Sequence, residues 1–174
     1  VRKIIEGREQ DIRPCVGATY CLDRIYEGHD TLCIHNPATS REASVPPDVE
    51  RAKGAPRHIV IVGAGPAGLE AARVAGERGH RVTVLEASGD AGGQLRLAAQ
   101  NPRRRELIGI IEWRLAQCQR LGVSLRYNTI ADADLVTALE PDVVIVATGG
   151  LPQNSSFTEG AELAVTSWEI ISGE

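Results

Sequence analysis

The chain has 174 residues, a length that suits one domain of ordinary size with a short appendage. Nineteen Lys and Arg against 23 Asp and Glu give a formal net charge of −4, so no global positive field recruits nucleic acid or an anionic membrane. No apolar run approaches the roughly 20 residues of a membrane span, "VRKIIEGREQ" is too charged for a signal peptide, and four cysteines are too few for a disulfide scaffold. The cysteine usage favours a reducing, cytoplasmic setting. A chain that begins at Val1 and holds no methionine is expected to be a piece of a longer protein or a processed product.

Taken in chain order, "VRKIIEGR" reads as the end of a helix. An irregular stretch follows, with three of the four cysteines in "CVGATYCLDRIYEGHDTLC". Cys15, Cys21 and Cys33 are spaced like ligands of a metal or iron–sulfur centre, with Ala18 in the middle of the first gap. The Pro-rich, charged "REASVPPDVERAKGAPR" then reads as a linker.

From His58 the pattern becomes regular. "HIVIVG" suits a buried parallel strand. "PAGLEAARVAGERG" predicts a helix with Leu69, Ala72 and Val74 to Ala75 on its apolar face and Gly79 as its stop. "RVTVLE" is a second strand and "GGQLRLAAQ" a short helix after a glycine turn. "RRELIGIIEWRLAQCQRLG" sets Leu107, Ile110, Ile111, Leu115 and Cys118 at helical spacing, which assigns Cys118 to core packing. "VSLRYN" is a third strand, "DADLVTALE" a short helix, and "DVVIVATGG" a fourth strand ending in glycines. The alternation predicts an α/β fold with a parallel sheet and right-handed crossovers. "TSWEIISGE" closes a polar tail with no room for another βα unit. "NPRRREL" reads as a solvated face, and Trp113 and Trp168 form no nucleic-acid stacking platform.

"IVIVGAGPAGLEAA" carries the site. Gly63, Gly65 and Gly68 stand in the G-x-G-x-x-G arrangement, with a strand before and a helix after. Gly63 makes the tight turn, Gly65 lets backbone approach a pyrophosphate, and Gly68 allows close helix–strand packing. Pro66 suits the first helical turn, and with Ala67 it opens the helix whose free N–H groups meet the anion. Glu86 ends the second strand about 20 residues on, where an acid takes the ribose hydroxyls and disfavours a 2′-phosphate. These features make the sheet Rossmann-like.

"ASGDAGGQL" and "VATGG" together resemble the FAD-binding half of flavoproteins with two dinucleotide domains. By that resemblance Gly92, Gly93, Gln94, Thr148 and Gly149 join the cofactor site.

A cysteine-rich loop, a linker, "GAGPAG" and "ATGG", in that order, resemble the NADH:flavin oxidoreductase family of 2,4-dienoyl-CoA reductase and trimethylamine dehydrogenase. "RPCVGATYCLDRIYEGHDTLCIHNPATSRE" most resembles its N-methylproline demethylase-like branch. The resemblance implies that residues 1–45 are the tail of an FMN-barrel domain carrying an iron–sulfur-type loop. It makes 46–57 the linker, 58–150 an FAD- or ADP-binding domain lacking its last strand, and 151–174 the lead-in to an inserted NAD(P)H-type domain. FMN would sit in the missing barrel, and the chain alone is expected to be inactive.

Against the family pattern, Cys15, Cys21 and Cys33 match the first, third and fourth cluster ligands, and Ala18 takes the place of the second. Clusters of this type take four thiolates. A three-cysteine [3Fe–4S] centre, a cluster with a substitute ligand (His29 and His35 are nearby) and a vestigial loop all remain open; a structural zinc is a weaker option.

The leading function is a dinucleotide-binding part of a flavin oxidoreductase that moves electrons or hydride between a nicotinamide or carrier partner and the FMN site. The alternatives are a non-catalytic ADP-binding module and an NAD-binding reductase domain. Expected partners are the dinucleotide and the remaining domains of the parent chain, with homo-oligomerisation left open.

Overall fold

The computed structural model describes residues 2–152 and 159–173, so part of the expected lead-in at 151–174 lies outside the described residues. Its helices are α1 (Arg2–Ile5), α2 (Tyr20–Tyr26), α3 (Pro66–Glu77), α4 (Gln94–Gln100), α5 (Gly109–Arg120), α6 (Ala133–Ala138) and α7 (Ser167–Ser172). The strands are β1 (His58–Val62), β2 (Arg81–Leu85), β3 (Ser124–Arg126) and β4 (Val143–Val146). Short 3-10 turns lie at Glu9–Asp11, Arg105–Ile108 and Ala161–Leu163.

The four strands form one sheet in the order β3-β2-β1-β4, all parallel. The chain builds outward from β1 through β2 to β3, then crosses back to place β4 on the other side of β1. That reversal opens a crevice beyond the carboxyl ends of β1 and β4, where ligands bind in open α/β sheets.

The core lies between the sheet and the packed pair α3–α5. Period-2 alternation turns Ile59 and Ile61 of β1 and their register partners Val82 and Val84 of β2 toward it. Leu69, Ala72 and Ala75 of α3 meet Ile110, Ile111 and Cys118 of α5 there, with Leu107 just ahead. Ile61, Leu69, Leu85 and Ile111 are fully buried, each contributing roughly 1.5–3 kcal/mol of hydrophobic stabilisation. Val74, expected on the apolar face of α3, is only half-buried, and Arg73 is buried in its stead. The opposite face of the sheet is sealed at its centre by Val60, Thr83 and Leu85. It opens at β4, where Val146 is 73% exposed.

Burial of Cys118 among apolar groups raises its thiol pKa to about 11. It is a packing residue, as its spacing predicts. Asp132 caps α6 by accepting from Leu135 N–H at 2.8 Å. Thr166 and Glu169 form a full capping box on α7.

The first 45 residues are irregular apart from α1, α2 and one 3-10 turn, yet the stretches on either side of the exposed α2 dock through the buried Asp11, Val16 and His35. Val16 is buried in the main core and Ala18 packs against it. Asp11 pairs with Arg120 of α5, and Gln117 Nε2 donates to Gln10 O at 3.4 Å.

Arg13 grips Glu70 of α3 with both guanidinium arms, at 2.9 and 3.3 Å, and stacks 4.2 Å above the Trp113 ring. Arg73 and Arg114 reach the same carboxylate at 2.7 and 2.8 Å. Burial alone would raise the Glu70 pKa, but bonds from Arg73 and Arg13 outweigh it and hold the group at about 2. His35 is 1% exposed, with Nδ1 on Pro14 O at 3.0 Å and its ring edge-on to Trp113. Desolvation lowers its pKa, so it is neutral at pH 7.

Candidate functional site

The site grows from the end of β1. Gly63 follows the strand at φ +102, and a Cβ there would stand 2.4 Å from Ala147 O at the end of β4. Gly68, in the first turn of α3, comes so close to Gly63 O that a Cβ would lie 1.9 Å from it. Both glycines are therefore demanded by close approach of backbone to backbone. Gly65 differs: its φ is −70, and nothing lies within 4 Å of the Cβ it lacks. Its missing side chain leaves open space where a ligand can meet the backbone. Pro66 stands at the start of α3, and the N–H groups of Ala67 and Gly68 belong to the first turn, which has no intrahelical acceptors.

Ala64 links the surrounding parts. Its N–H donates to Glu86 Oε2 at 2.7 Å, and its carbonyl accepts from Gly92 N–H at 2.9 Å. The second glycine turn thereby lies against the first, with the Cβ position of Gly93 only 3.6 Å from Gly65 Cα. Gly92 and Gly93 hold φ +130 and +52, conformations that glycine adopts without strain. From the start of α4, Gln94 Nε2 donates to Gly150 O at 2.8 Å, clasping the second glycine turn to the loop after β4. Thr148 and Gly149 occupy that loop and are exposed.

Glu86 accepts on its other oxygen from Ser88 N–H and Ser88 Oγ, each at 2.9 Å. Burial raises the carboxyl pKa, but the N–H groups of Ser88 and Ala64 outweigh it and the net shift is downward. The group is a carboxylate, and its remaining lone pairs are those a ribose diol can use. The motif points to Glu86 but not to Ser88; a serine two residues past the strand-ending acid is the signal that could have found it.

The sequence-expected cofactor residues thus lie together beyond the carboxyl ends of β1, β2 and β4. Gly63, Gly65, Pro66, Ala67 and Gly68 stand in the first turn and the helix start, and Glu86 is bonded to that turn through Ala64. Gly92, Gly93 and Gln94 are set against it, and Thr148 with Gly149 lies in the loop that Gln94 reaches. The open Gly65 cradle, the free helix N–H groups and the carboxylate fit an adenine dinucleotide. When bound, a flavin dinucleotide supplies the redox chemistry; the chain supplies anchorage and orientation.

The cysteines do not make a comparable site. Cys15 is exposed, and Cys21 and Cys33 are half-buried. Cys33 Sγ accepts from Asn36 N–H at 3.4 Å. Among the described residues, no three His, Cys, Asp or Glu side chains are grouped to hold a metal ion. His29 is exposed on the surface, whereas His35, the other candidate substitute ligand, is buried and engaged with Pro14 and Trp113. Three thiolates with an alanine in the remaining place do not fit a four-thiolate cluster. Among the described residues, no helix is long and apolar enough to cross a membrane.

The parallel sheet, the glycine turn at the switch point and the acid at the end of β2 define a dinucleotide-binding α/β unit of the oxidoreductase class. Residues 57–172 match the model of the pyridine nucleotide-disulphide oxidoreductase family, and the chain belongs to that family. It is 61% identical over its whole length to the probable N-methylproline demethylase of Rhizobium meliloti strain 1021, covering 26% of that protein. It is 46% identical, over 99% of its length, to the N,N-dimethylglycine/sarcosine dehydrogenase of Chromohalobacter salexigens, again covering 26%.

Among solved structures, the 6-hydroxypseudooxynicotine amine oxidase of Pseudomonas geniculata N1 superposes with a TM-score of 0.89 at 31% identity. That match spans 99% of this chain and 28% of the oxidase. A 2-naphthoyl-CoA reductase superposes at 0.88 and 33% identity, over 99% of this chain and 26% of the reductase. The resemblance read from the motifs is borne out by these relatives. The chain spans about a quarter of the length of the curated relatives it matches.

Proposed function

We propose that this chain is the FAD- or ADP-binding part of a multidomain flavin oxidoreductase. In this reading the parent protein moves electrons or hydride between a nicotinamide or carrier partner and a substrate held at an FMN barrel. One observation carries the reading: Ala64 ties the open Gly65 cradle to both Glu86 and the second glycine turn. A pyrophosphate at Gly65 would meet the N–H groups of Ala67 and Gly68, and Glu86 would take the adenosine ribose. Gln94 would hold the wall formed by Thr148 and Gly149 along the cofactor. These residues bind and orient; none is placed to transfer a proton to substrate.

The domain reading follows. Residues 1–45 close the barrel domain, 46–57 link it to the dinucleotide unit of 58–150, and 151–174 lead toward an NAD(P)H-type domain. The demethylase and dehydrogenase named among the relatives support an N-methylated amine as the parent's substrate class, and the pyridine-nucleotide family supports a nicotinamide redox partner, here NADH. The proposed setting is cytoplasmic. Because the thiolates present do not complete a four-ligand set, no electron step is assigned to an iron–sulfur cluster.

The test is cofactor identity. Denaturing the desalted parent protein should release FAD or ADP alongside FMN, identified by chromatography. In parallel, FAD or ADP should raise the melting temperature of this chain while NADH leaves it unchanged. Release of FMN alone, with stabilisation by NADH only, would overturn the reading in favour of an NAD-binding reductase domain.

A further inference from the structure

A concentration of unpaired positive charge lies at the other end of the sheet from the glycine turns. Residues 51–57 run as a strap beneath the starts of β1 and β2. Ala52 N–H donates to Arg78 O at 3.0 Å, and Arg81 N–H donates to Arg57 O at 2.9 Å. Between the strap and the α3–β2 turn is a cleft of about 490 Å3 lined by Lys53, Arg57, Arg78, His80 and Asp142. Arg51 borders an adjoining lobe, its guanidinium lying over Gly79, 3.6 Å from that glycine's missing Cβ.

The chemistry of this lining is one-sided. None of Arg51, Lys53, Arg57 or Arg78 forms an ion pair among the described residues. The lining acid, Asp142, already spends Oδ2 on His58 N–H at 2.6 Å. His80 Nδ1 accepts from Arg57 N–H at 3.3 Å, which puts the proton of the neutral ring on Nε2 and leaves that N–H as a donor. Guanidinium and ammonium groups can only donate. Three formal cations therefore share the cleft with one engaged carboxylate, and a fourth, Arg51, borders the adjoining lobe, in a chain whose net charge is −4. All four side chains are solvent-exposed, so water and salt screen their repulsion, and what they offer together is a set of free donors to one anion.

We propose that this cleft is a second anion site, taking a phosphate-class ligand such as a phosphomonoester or diphosphate. Such an oxyanion carries two charges and only acceptors, and it matches the planar forks of Arg51, Arg57 and Arg78. The apolar part of the lining is made of small residues, Ala52, Ala55 and Pro56, and offers no large side chain for a hydrophobic ligand to pack against. The site is not an extension of the dinucleotide crevice, because the five residues of β1 separate the two by about 16 Å.

The test titrates this chain with pyrophosphate and with inorganic phosphate by calorimetry, holding ionic strength constant with sodium chloride. In Gly65→Asp, which puts a carboxylate into the glycine turn and blocks pyrophosphate there, saturable 1:1 binding of either is expected, with pyrophosphate the tighter. Adding R57Q/R78Q should weaken it at least tenfold without lowering the melting temperature in the absence of anion. Loss of all binding in Gly65→Asp would assign the anion to the glycine turn and overturn the proposal. Binding no stronger than that of chloride, or unaffected by R57Q/R78Q, would also overturn it. So would tighter capture of a polyglutamate peptide than of pyrophosphate, which would make the cleft a docking surface for an acidic protein segment.

Discussion

The sheet of residues 58–146 and the segment of residues 8–35 both pack against α3 and α5, yet they are held there by different forces. The sheet side is sealed by aliphatic burial, with Ile61, Leu69, Val84 and Ile111 almost entirely out of water. The segment side contributes Val16 to the core, but its grip is mainly ionic and aromatic: Asp11 on Arg120, Arg13 on Glu70, and His35 against Trp113. Burial of apolar area is insensitive to pH and tolerant of repacking. A half-buried carboxylate serving three arginines is neither, because removing one partner leaves the others desolvated and unpaired. The contrast locates robustness in the nucleotide unit and conditional stability in the attachment of the segment.

The sheet side is most sensitive at Gly68. A Gly68→Ala change forces a Cβ to within 1.9 Å of Gly63 O, so the β1–α3 packing must move. A loss above about 4 kcal/mol is expected, seen as disappearance of the cooperative thermal transition by circular dichroism.

Glu70→Ala should cost about 3–5 kcal/mol by leaving Arg13, Arg73 and Arg114 without their carboxylate. A shift in Trp113 emission should accompany it, because Arg13 and His35 lie on that ring. Acid should act on the same contact. The Glu70 pKa is depressed in the folded state, so its stabilisation is complete above about 4.5 and is lost as pH falls through about 2. The loss across that window is on the order of 3 kcal/mol. It should be measurable as a falling urea midpoint in the parent chain and be absent from Glu70→Gln.

Gly65→Ala separates ligand binding from stability. Its backbone suits alanine and the space is open, so stability should change by less than about 1 kcal/mol. Affinity for ADP or FAD should nevertheless fall at least tenfold in a binding titration. Gln94→Ala removes only the clasp to Gly150 and should cost about 1 kcal/mol of bound-state stability. It would read out as faster dissociation of the cofactor.

What was legible in the sequence follows the same division. The β-branched runs at 58–62, 81–85 and 143–146, and the spacing of Leu107, Ile110, Ile111 and Cys118, report burial directly through their periods. The glycine turn and Glu86 were legible because one backbone geometry demands those residues at that spacing. The attachment of the segment was not, since Arg13 and Glu70 are 57 residues apart and Asp11 and Arg120 are 109 apart. No local period announces a pair formed only by the tertiary fold. His35 and Arg73 carry no local signal of their burial for that reason. The role of Ala64 was hidden too, because it acts through a peptide group that any residue could offer.

The Ala64 peptide, bonded on one side to Glu86 and on the other to Gly92, carries a thermodynamic consequence. With both of its polar groups already engaged, the two glycine turns are ordered during folding and not at the moment a ligand arrives. The conformational entropy of the cradle is therefore charged to the stability of the sheet, and association proceeds onto a preorganised surface. Tightness of binding in this unit should accordingly track the rigidity of β1 and β2 more than the number of contacts a ligand makes.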